Sequence, residues 1–258
     1  MTTRRHLLIS LSALPLLGFG LPVSRAFAQA VETSLAGDTI TTANGELVVH
    51  PVQHASLLLG WRDQVIYVDP VGGGALYGQL PSATAVVVTH ANPDHFDVPT
   101  LEAVATGSIP LIVTQEVFDQ LPDALKVNAT VMANGDEGSL NGLSIAAIPA
   151  YNTTPDKTKY HPQGAGNGYL IKFADKIVYV AGDTEATPEM LALKNIDLAF
   201  IPINQPYTMT VQQAADAINT FKPKIAYPYH YKGTDISGLD ALVGDEVEVR
   251  LLEWYANG

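Results

Sequence analysis

The segment at residues 86–97 constrains this chain most: an apolar run, Val86-Val87-Val88-Thr89, gives way at once to His90-Ala91-Asn92-Pro93-Asp94-His95-Phe96-Asp97. A short run rich in valine reads as a buried strand. At its end His90, Asn92, Asp94 and His95 fall within six residues. Such a group is poorly suited to a core, because every buried polar atom needs a partner. A divalent, zinc-like cation is such a partner, since it takes neutral imidazole nitrogen and anionic oxygen at about 2 Å. A solvated polar turn is the other reading of the same residues.

The rest of the chain limits what holds such a cation. Cysteine is absent, which excludes disulfides, thiolate zinc sites and cysteine nucleophiles together. Any metal therefore falls to His, Asp, Glu or Asn. His6 lies in an apolar N-terminal stretch, and His50, His54, His90, His95, His161 and His230 lie beyond it. The last four sit at the ends of expected strands or in adjoining loops, where a rigid scaffold usually presents a site.

That N-terminal stretch reads as an export signal over residues 1–30. Arg4 and Arg5 precede an apolar run at 7–23, and the small-residue patterns Ala26-Phe27-Ala28 and Ala28-Gln29-Ala30 follow. Pro15, Gly18, Gly20 and Pro22 interrupt a run already short for a bilayer of about 30 Å, which favours cleavage over a stable membrane anchor. The paired arginines resemble a twin-arginine signal. A periplasmic or secreted protein is expected, with one domain over 31–258, since its length and 47% hydrophobic content suit a single large core. Cleavage would leave 11 Lys and Arg against 26 Asp and Glu. Nucleic acid is excluded as a partner, because phosphate binding needs clustered cations.

Apolar segments of strand length recur at 47–50, 56–59, 64–68, 85–89, 111–114, 130–133 and 143–148, with helices expected at 99–105 and 115–125. A hairpin at 169–173 and 176–181 turns around Ala174-Asp175. A helix at 188–193, strands at 198–203 and 225–228, and a terminal strand at 246–252 complete the pattern. Between them an amphipathic helix at 211–221 is capped by Thr210 and shows the stripe Ala214, Ala215, Ile218 and Phe221. Two sheets packed together and covered outside by helices accommodate this order.

The segment His90-Ala91-Asn92-Pro93-Asp94-His95 resembles the metallo-β-lactamase superfamily signature, His-x-His-x-Asp-His at a strand end. Upstream, His54-Ala55-Ser56 and Val65-Ile66-Tyr67-Val68-Asp69-Pro70 resemble the opening of a metal-dependent hydrolase branch with lactonase-like and phosphodiesterase-like members. Downstream, Pro149-Ala150-Tyr151-Asn152 with His161-Pro162, Gly182-Asp183-Thr184 and Pro228-Tyr229-His230-Tyr231 follow in the family's order. The likeness implies an α+β fold, a four-layer αββα sandwich, with the site in a groove at one edge of the two sheets. It implies one metal site from His90, Asn92 and His161, a second from Asp94, His95 and His230, and Asp183 bridging them. Asp94 and Asp183 would be catalytic, with a metal-held hydroxide attacking a carbon or phosphorus centre. Zn2+ is the implied cofactor, as one or two ions, with Mn2+ or Fe2+ as alternatives. The implied substrate is a small molecule with an ester, lactone or phosphodiester bond, rather than a β-lactam.

This chain departs from the signature at Asn92, where the family usually has histidine. An amide oxygen is a weaker zinc donor than imidazole nitrogen, so the first site is expected to be loosened. A non-catalytic or weakly active ligand-binding member of the fold is the rival reading. His54 is either a partner of a ligand or substrate or a core histidine. Asp69 either fixes the tautomer of a liganding imidazole or makes a turn before Pro70. Tyr151, Asn152, Tyr207 and Tyr229 are candidates to line the pocket. Residues 164–168, with three glycines, read as a flexible loop near the site. No G-x-S-x-G elbow occurs, so a serine hydrolase has little support.

Overall fold

Why the strands read as unbroken apolar runs is visible in the pairing of the computed structural model, which describes residues 35–255. The expected export signal at 1–30, and the first residues of the expected domain, lie outside the described residues. Seven strands in chain order form the first sheet: β1 (Asp38–Thr42), β2 (Gly45–Gln53), β3 (Ser56–Trp61), β4 (Gln64–Val68), β5 (Ala85–Val87), β6 (Leu111–Val113) and β7 (Ala129–Val131). β1 to β4 pair antiparallel, then β4 to β7 pair parallel. The second sheet repeats this with β8 (Glu137–Leu140), β9 (Leu143–Ala150), β10 (Gly166–Phe173), β11 (Lys176–Val180), β12 (Leu198–Pro202), β13 (Ile225–Tyr229) and β14 (Glu248–Val249). It too is antiparallel as far as β11 and parallel beyond.

Parallel pairing needs crossovers: the one from β4 to β5 holds a 3-10 turn at Gly74–Tyr77, and α-helices occupy the others. They are α1 (Val98–Val104), α2 (Gln115–Gln120), α3 (Asp123–Lys126), α4 (Pro188–Leu191), α5 (Val211–Phe221) and α6 (Leu239–Leu242). Three apolar layers result. Leu57, Leu59, Val87, Tyr169 and Phe200 fill the space between the sheets. Leu58, Val86 and Val88 point instead to the helices outside the first sheet. Ala199 and Ile201 meet Ala214, Ile218 and Phe221 of α5 outside the second. Alternate residues of β3, β5 and β12 thus enter different cores, which is why these strands are apolar on both faces. The architecture is the αββα sandwich.

Local signals explain the boundaries. Thr210 and Gln213 form a capping box at the start of α5. The helix expected at 115–125 is two helices, because Leu121 before Pro122 is extended, at φ −66° and ψ 145°. The terminal strand expected at 246–252 shrinks to Glu248–Val249. Residues 166–168, expected as flexible loop, are the buried start of β10, paired with Ile148 to Ala150. Their glycines serve close approach: a Cβ on Gly168 would stand 2.7 Å from the Ala181 carbonyl oxygen.

One edge gathers the functional loops. Antiparallel pairing sets the β2–β3 turn beside the C-terminal end of β4, since Gln53 faces Ser56 and Leu57 faces Val68. In the same way Gly166 and Tyr169 of β10 bring the β9–β10 connection beside the end of β11. Among the described residues no helix is long and apolar enough to cross a membrane.

Candidate metal centre

Asp69, buried at the end of β4, organises the loop after β5. Its Oδ1 accepts from the Thr89 amide at 2.7 Å and its Oδ2 from the Thr89 hydroxyl at 2.7 Å. The same Oδ2 takes His95 Nδ1 at 2.7 Å. Because the Thr89 hydroxyl gives its proton to Asp69, it accepts from His90 Nδ1, 3.0 Å away. Both imidazoles thus engage Nδ1 on this network and turn Nε2 toward the centre. The loop itself is a tight turn, with the amides of His95 and Phe96 donating to the Asn92 carbonyl. It ends where the Asp97 carboxylate caps α1.

Three further connections bring donors to the same point. Asp183 follows β11, His230 follows β13, and His161 comes from the β9–β10 connection. Asp183 Oδ1 lies 3.3 Å from His95 Nε2, and its Oδ2 lies 3.2 Å from His161 Nε2 and 3.4 Å from His230 Nε2. His90 Nε2 is 4.0 Å from that Oδ2. Asp94 Oδ2 lies 3.3 Å from His230 Nε2 and 3.2 Å from His54 Nε2. Two triads have ligand atoms within 4.8 Å of one another: His90, His95 and Asp183, and His54, Asp94 and His230.

The electrostatics match a cation. His90 Nε2, His95 Nε2 and Asp183 Oδ1 are buried without a hydrogen-bond partner among the described residues. Lone pairs facing a carboxylate at this range repel unless a proton or cation lies between them. Burial alone would raise Asp183, but the charges of His230 and His95 hold it well below the ordinary carboxylate range. Burial would lower His95, yet Asp183 and Asp69 raise it well above the ordinary imidazole value. For His90 burial wins, aided by His95, and its pKa falls. Asp94, raised by burial, is pulled down by hydrogen bonds from His230 and His54. Carboxylates that stay charged here need positive charge beside them, and a divalent ion suits this donor set.

A model of the family described as the β-lactamase superfamily domain matches residues 49–230. The chain belongs to the β-lactamase superfamily. Among relatives of this superfamily chain, a UPF0173 metal-dependent hydrolase of Deinococcus radiodurans is 31% identical over 199 residues, 71% of this chain and 82% of that protein. One from Thermococcus kodakarensis is 26% identical over 213 residues, 78% of this chain and 93% of its own. A crystal structure from Parabacteroides distasonis, described as a candidate metal-dependent hydrolase, is 40% identical with a TM-score of 0.78, covering 84% of this chain and 98% of that one. A metallo hydrolase of Ignicoccus hospitalis shares the fold, with a TM-score of 0.63 at 22% identity over 80% and 95% of the two chains. The curated relatives carry the name of metal-dependent hydrolases.

The remaining residues of this superfamily chain divide between the centre and its supports. Asn92 Nδ2 donates to His161 Nε2 at 3.2 Å, engaging the nitrogen that a metal would need. His54 joins the centre through Asp94. Asn152 supports from behind, donating to the Tyr207 carbonyl at 2.6 Å. That carbonyl also takes His161 Nδ1 at 3.1 Å, while the Tyr207 ring packs on Tyr160. Tyr151 points its hydroxyl to Glu189, and Tyr229 is buried between the sheets beside Phe200 and Trp254.

Glu185 escapes a sequence reading. Its buried carboxylate accepts from the amides of Thr153 and Thr154 and the Thr154 hydroxyl, and pairs with Lys157 at 3.1 Å. It thereby pins the connection that carries His161, although nothing at Gly182-Asp183-Thr184-Glu185 marks it locally. Two cavities flank the centre. One of about 700 Å³ opens beside His54 and Asp94, and one of about 250 Å³ beside Asn92 and His161.

Proposed function

We propose that this chain is an exported, metal-dependent hydrolase that cleaves an ester, lactone or phosphodiester-type bond in a small molecule. The observation that carries the reading is the buried convergence of imidazole Nε2 atoms on Asp183, those of His90 and His95 without hydrogen-bond partners among the described residues. His90, Asp94, His95, His161, Asp183 and His230 would hold the metal, with Asn92 at its edge. Zinc suits these donors, as one or two ions, with Mn2+ and Fe2+ as alternatives. A divalent ion bound there supplies Lewis acidity and brings the pKa of water from about 15.7 to about 7.

The chain's own residues do the rest. Asp69 keeps His95 and His90 in the tautomer that faces inward. The Tyr207 carbonyl does the same for His161. Asp94 is the donor most open to the large cavity, its side chain 46% exposed, and it stays ionised at neutral pH. With Oδ2 facing His54 and His230, it is the charged group that a molecule entering that cavity meets first. Support for hydrolysis comes from the names of the relatives. Support for export comes from residues 1–30 alone.

One contact favours a second reading. The Asn92 amide occupies His161 Nε2, as a degenerate site in a ligand-binding member of the fold would have it. Elemental analysis together with turnover of a p-nitrophenyl ester, a γ-lactone and bis-p-nitrophenyl phosphate separates the two. The hydrolase reading expects at least one ion per chain and turnover of one substrate class, abolished by chelation and restored by Zn2+, Mn2+ or Fe2+. Purified protein with no ion and no turnover would reject it. The N-terminal sequence of the protein recovered from its source tests export, with a start near residue 31 expected.

A further inference from the structure

The centre contains one donor more than the signature supplies. His54 Nε2 and His230 Nε2 approach the same oxygen, Asp94 Oδ2, at 3.2 and 3.3 Å. We infer that His54, Asp94 and His230 form a cation site on the large-cavity side of the centre, with His54 as a metal ligand. This rests on the metal-dependent reading above and changes its ligand set: the lateral ion takes His54, and His95 goes with His90 and Asp183 to the buried position.

Three observations support it. The first is orientation. His54 Nδ1 is held by the Tyr255 hydroxyl at 2.9 Å, and its ring lies on that of His230 with centroids 3.8 Å apart. The ring is thus fixed with Nε2 toward Asp94, as partners of the remote nitrogen fix liganding histidines elsewhere.

The second is the backbone. His54 and His230 both hold left-handed conformations, each with φ of 50°, and the His230 amide donates to the His54 carbonyl at 3.1 Å. A side-chain-bearing residue adopts this region at a cost that glycine avoids. Two histidines sharing it, linked by their main chains, keep two imidazoles at one carboxylate oxygen.

The third is topology. His54 lies in the connection between the second and third strands of the first sheet, and His161 in the connection between the second and third strands of the second. Each sheet delivers one histidine from the same connection to opposite flanks of Asp183 and Asp94. On the His161 flank the nitrogen is engaged by Asn92. On the His54 flank it faces a carboxylate and a cavity of about 700 Å³. The cation site thereby moves to the side with room for a substrate.

Co2+ loading tests this without reference to turnover. His54→Gly removes the imidazole and suits the left-handed backbone, and its far-UV circular dichroism should match the parent. Ion count after gel filtration, affinity by chelator competition, and the visible Co2+ spectrum are read for both proteins. The expected result is loss of one ion, or at least a tenfold weaker affinity, with a changed spectrum in His54→Gly. Added imidazole should restore the parent values. Tyr255→Phe, which frees the remote nitrogen only, should keep the count and weaken one ion. An ion count, affinity and spectrum unchanged in His54→Gly would overturn the inference while leaving the metal-dependent reading intact. Parent protein that binds no Co2+ would overturn both.

Discussion

Asp69 accepts from the Thr89 amide, the Thr89 hydroxyl and His95 Nδ1, and through that hydroxyl it also governs His90. A carboxylate can do this because it only accepts, which forces the proton of each imidazole outward and leaves Nε2 for a metal. Asp69→Asn would place an amide donor in this network and free one imidazole to turn over. Metal affinity is expected to fall about 10- to 100-fold, as for other outer partners of liganding histidines, measured by chelator competition. Asn92→His acts in the opposite direction. It withdraws the amide proton from His161 Nε2 and adds a nitrogen donor, so metal occupancy is expected to rise. Occupancy equal to that of the parent would show that the His161 flank is not limited by Asn92.

At the scale of elements, the β9–β10 connection depends on Glu185. Burial would raise this carboxylate, but the Thr154 amide and hydroxyl, Lys157 and the Thr153 amide pull it below its ordinary value of 4.5. A carboxylate lowered on folding stabilises the chain above its unfolded value, and that contribution is lost as pH falls through the folded one. This contribution declines below about 4.5 and is lost as pH falls through the lower folded value, which should release residues 153–157 and with them the orientation of His161. Hydrogen-exchange protection of these amides followed from pH 6 downward checks this: protection should fall with acidification below 4.5 in the parent and be low throughout in Glu185→Gln. The elements also show what was legible in sequence. β3, β4, β5 and β12 are plain because both faces are buried, which leaves no polar residue to break the run. β1 and β8 are not, since exposed edge residues such as Thr39, Thr41, Glu137 and Ser139 interrupt theirs. Glycines 166 and 168 read as flexible when their role is close approach of strands, a reason that only the neighbouring carbonyls reveal. Asp94, His95, Asp183 and His230 stand at strand ends, where position alone marks them, whereas Glu185 and Tyr255 act through distant partners and carry no local mark.

At the scale of the molecule, two sheets of the same design meet at one charged centre. The first contributes His54, Asp69, His90, Asp94 and His95, and the second contributes His161, Asp183 and His230. Between them lie carboxylates and unpartnered imidazole nitrogens that repel in the absence of positive charge. A cation bound there stabilises the folded chain by mass action, because the unfolded chain offers no such array. An ion present at a thousand times its dissociation constant contributes about 4 kcal/mol. For a domain of this size that amounts to a shift of about 10 °C in Tm. Differential scanning calorimetry before and after chelation is expected to show this drop, reversed on adding Zn2+. Because the ligands come from both sheets, the loaded protein should melt in one transition. Asp183→Asn, which keeps the shape but removes the charge shared by His95, His161 and His230, should lower the loaded Tm toward that of the chelated parent. A Tm indifferent to chelation in protein shown to carry metal would mean that the ion lies elsewhere and does not join the two sheets.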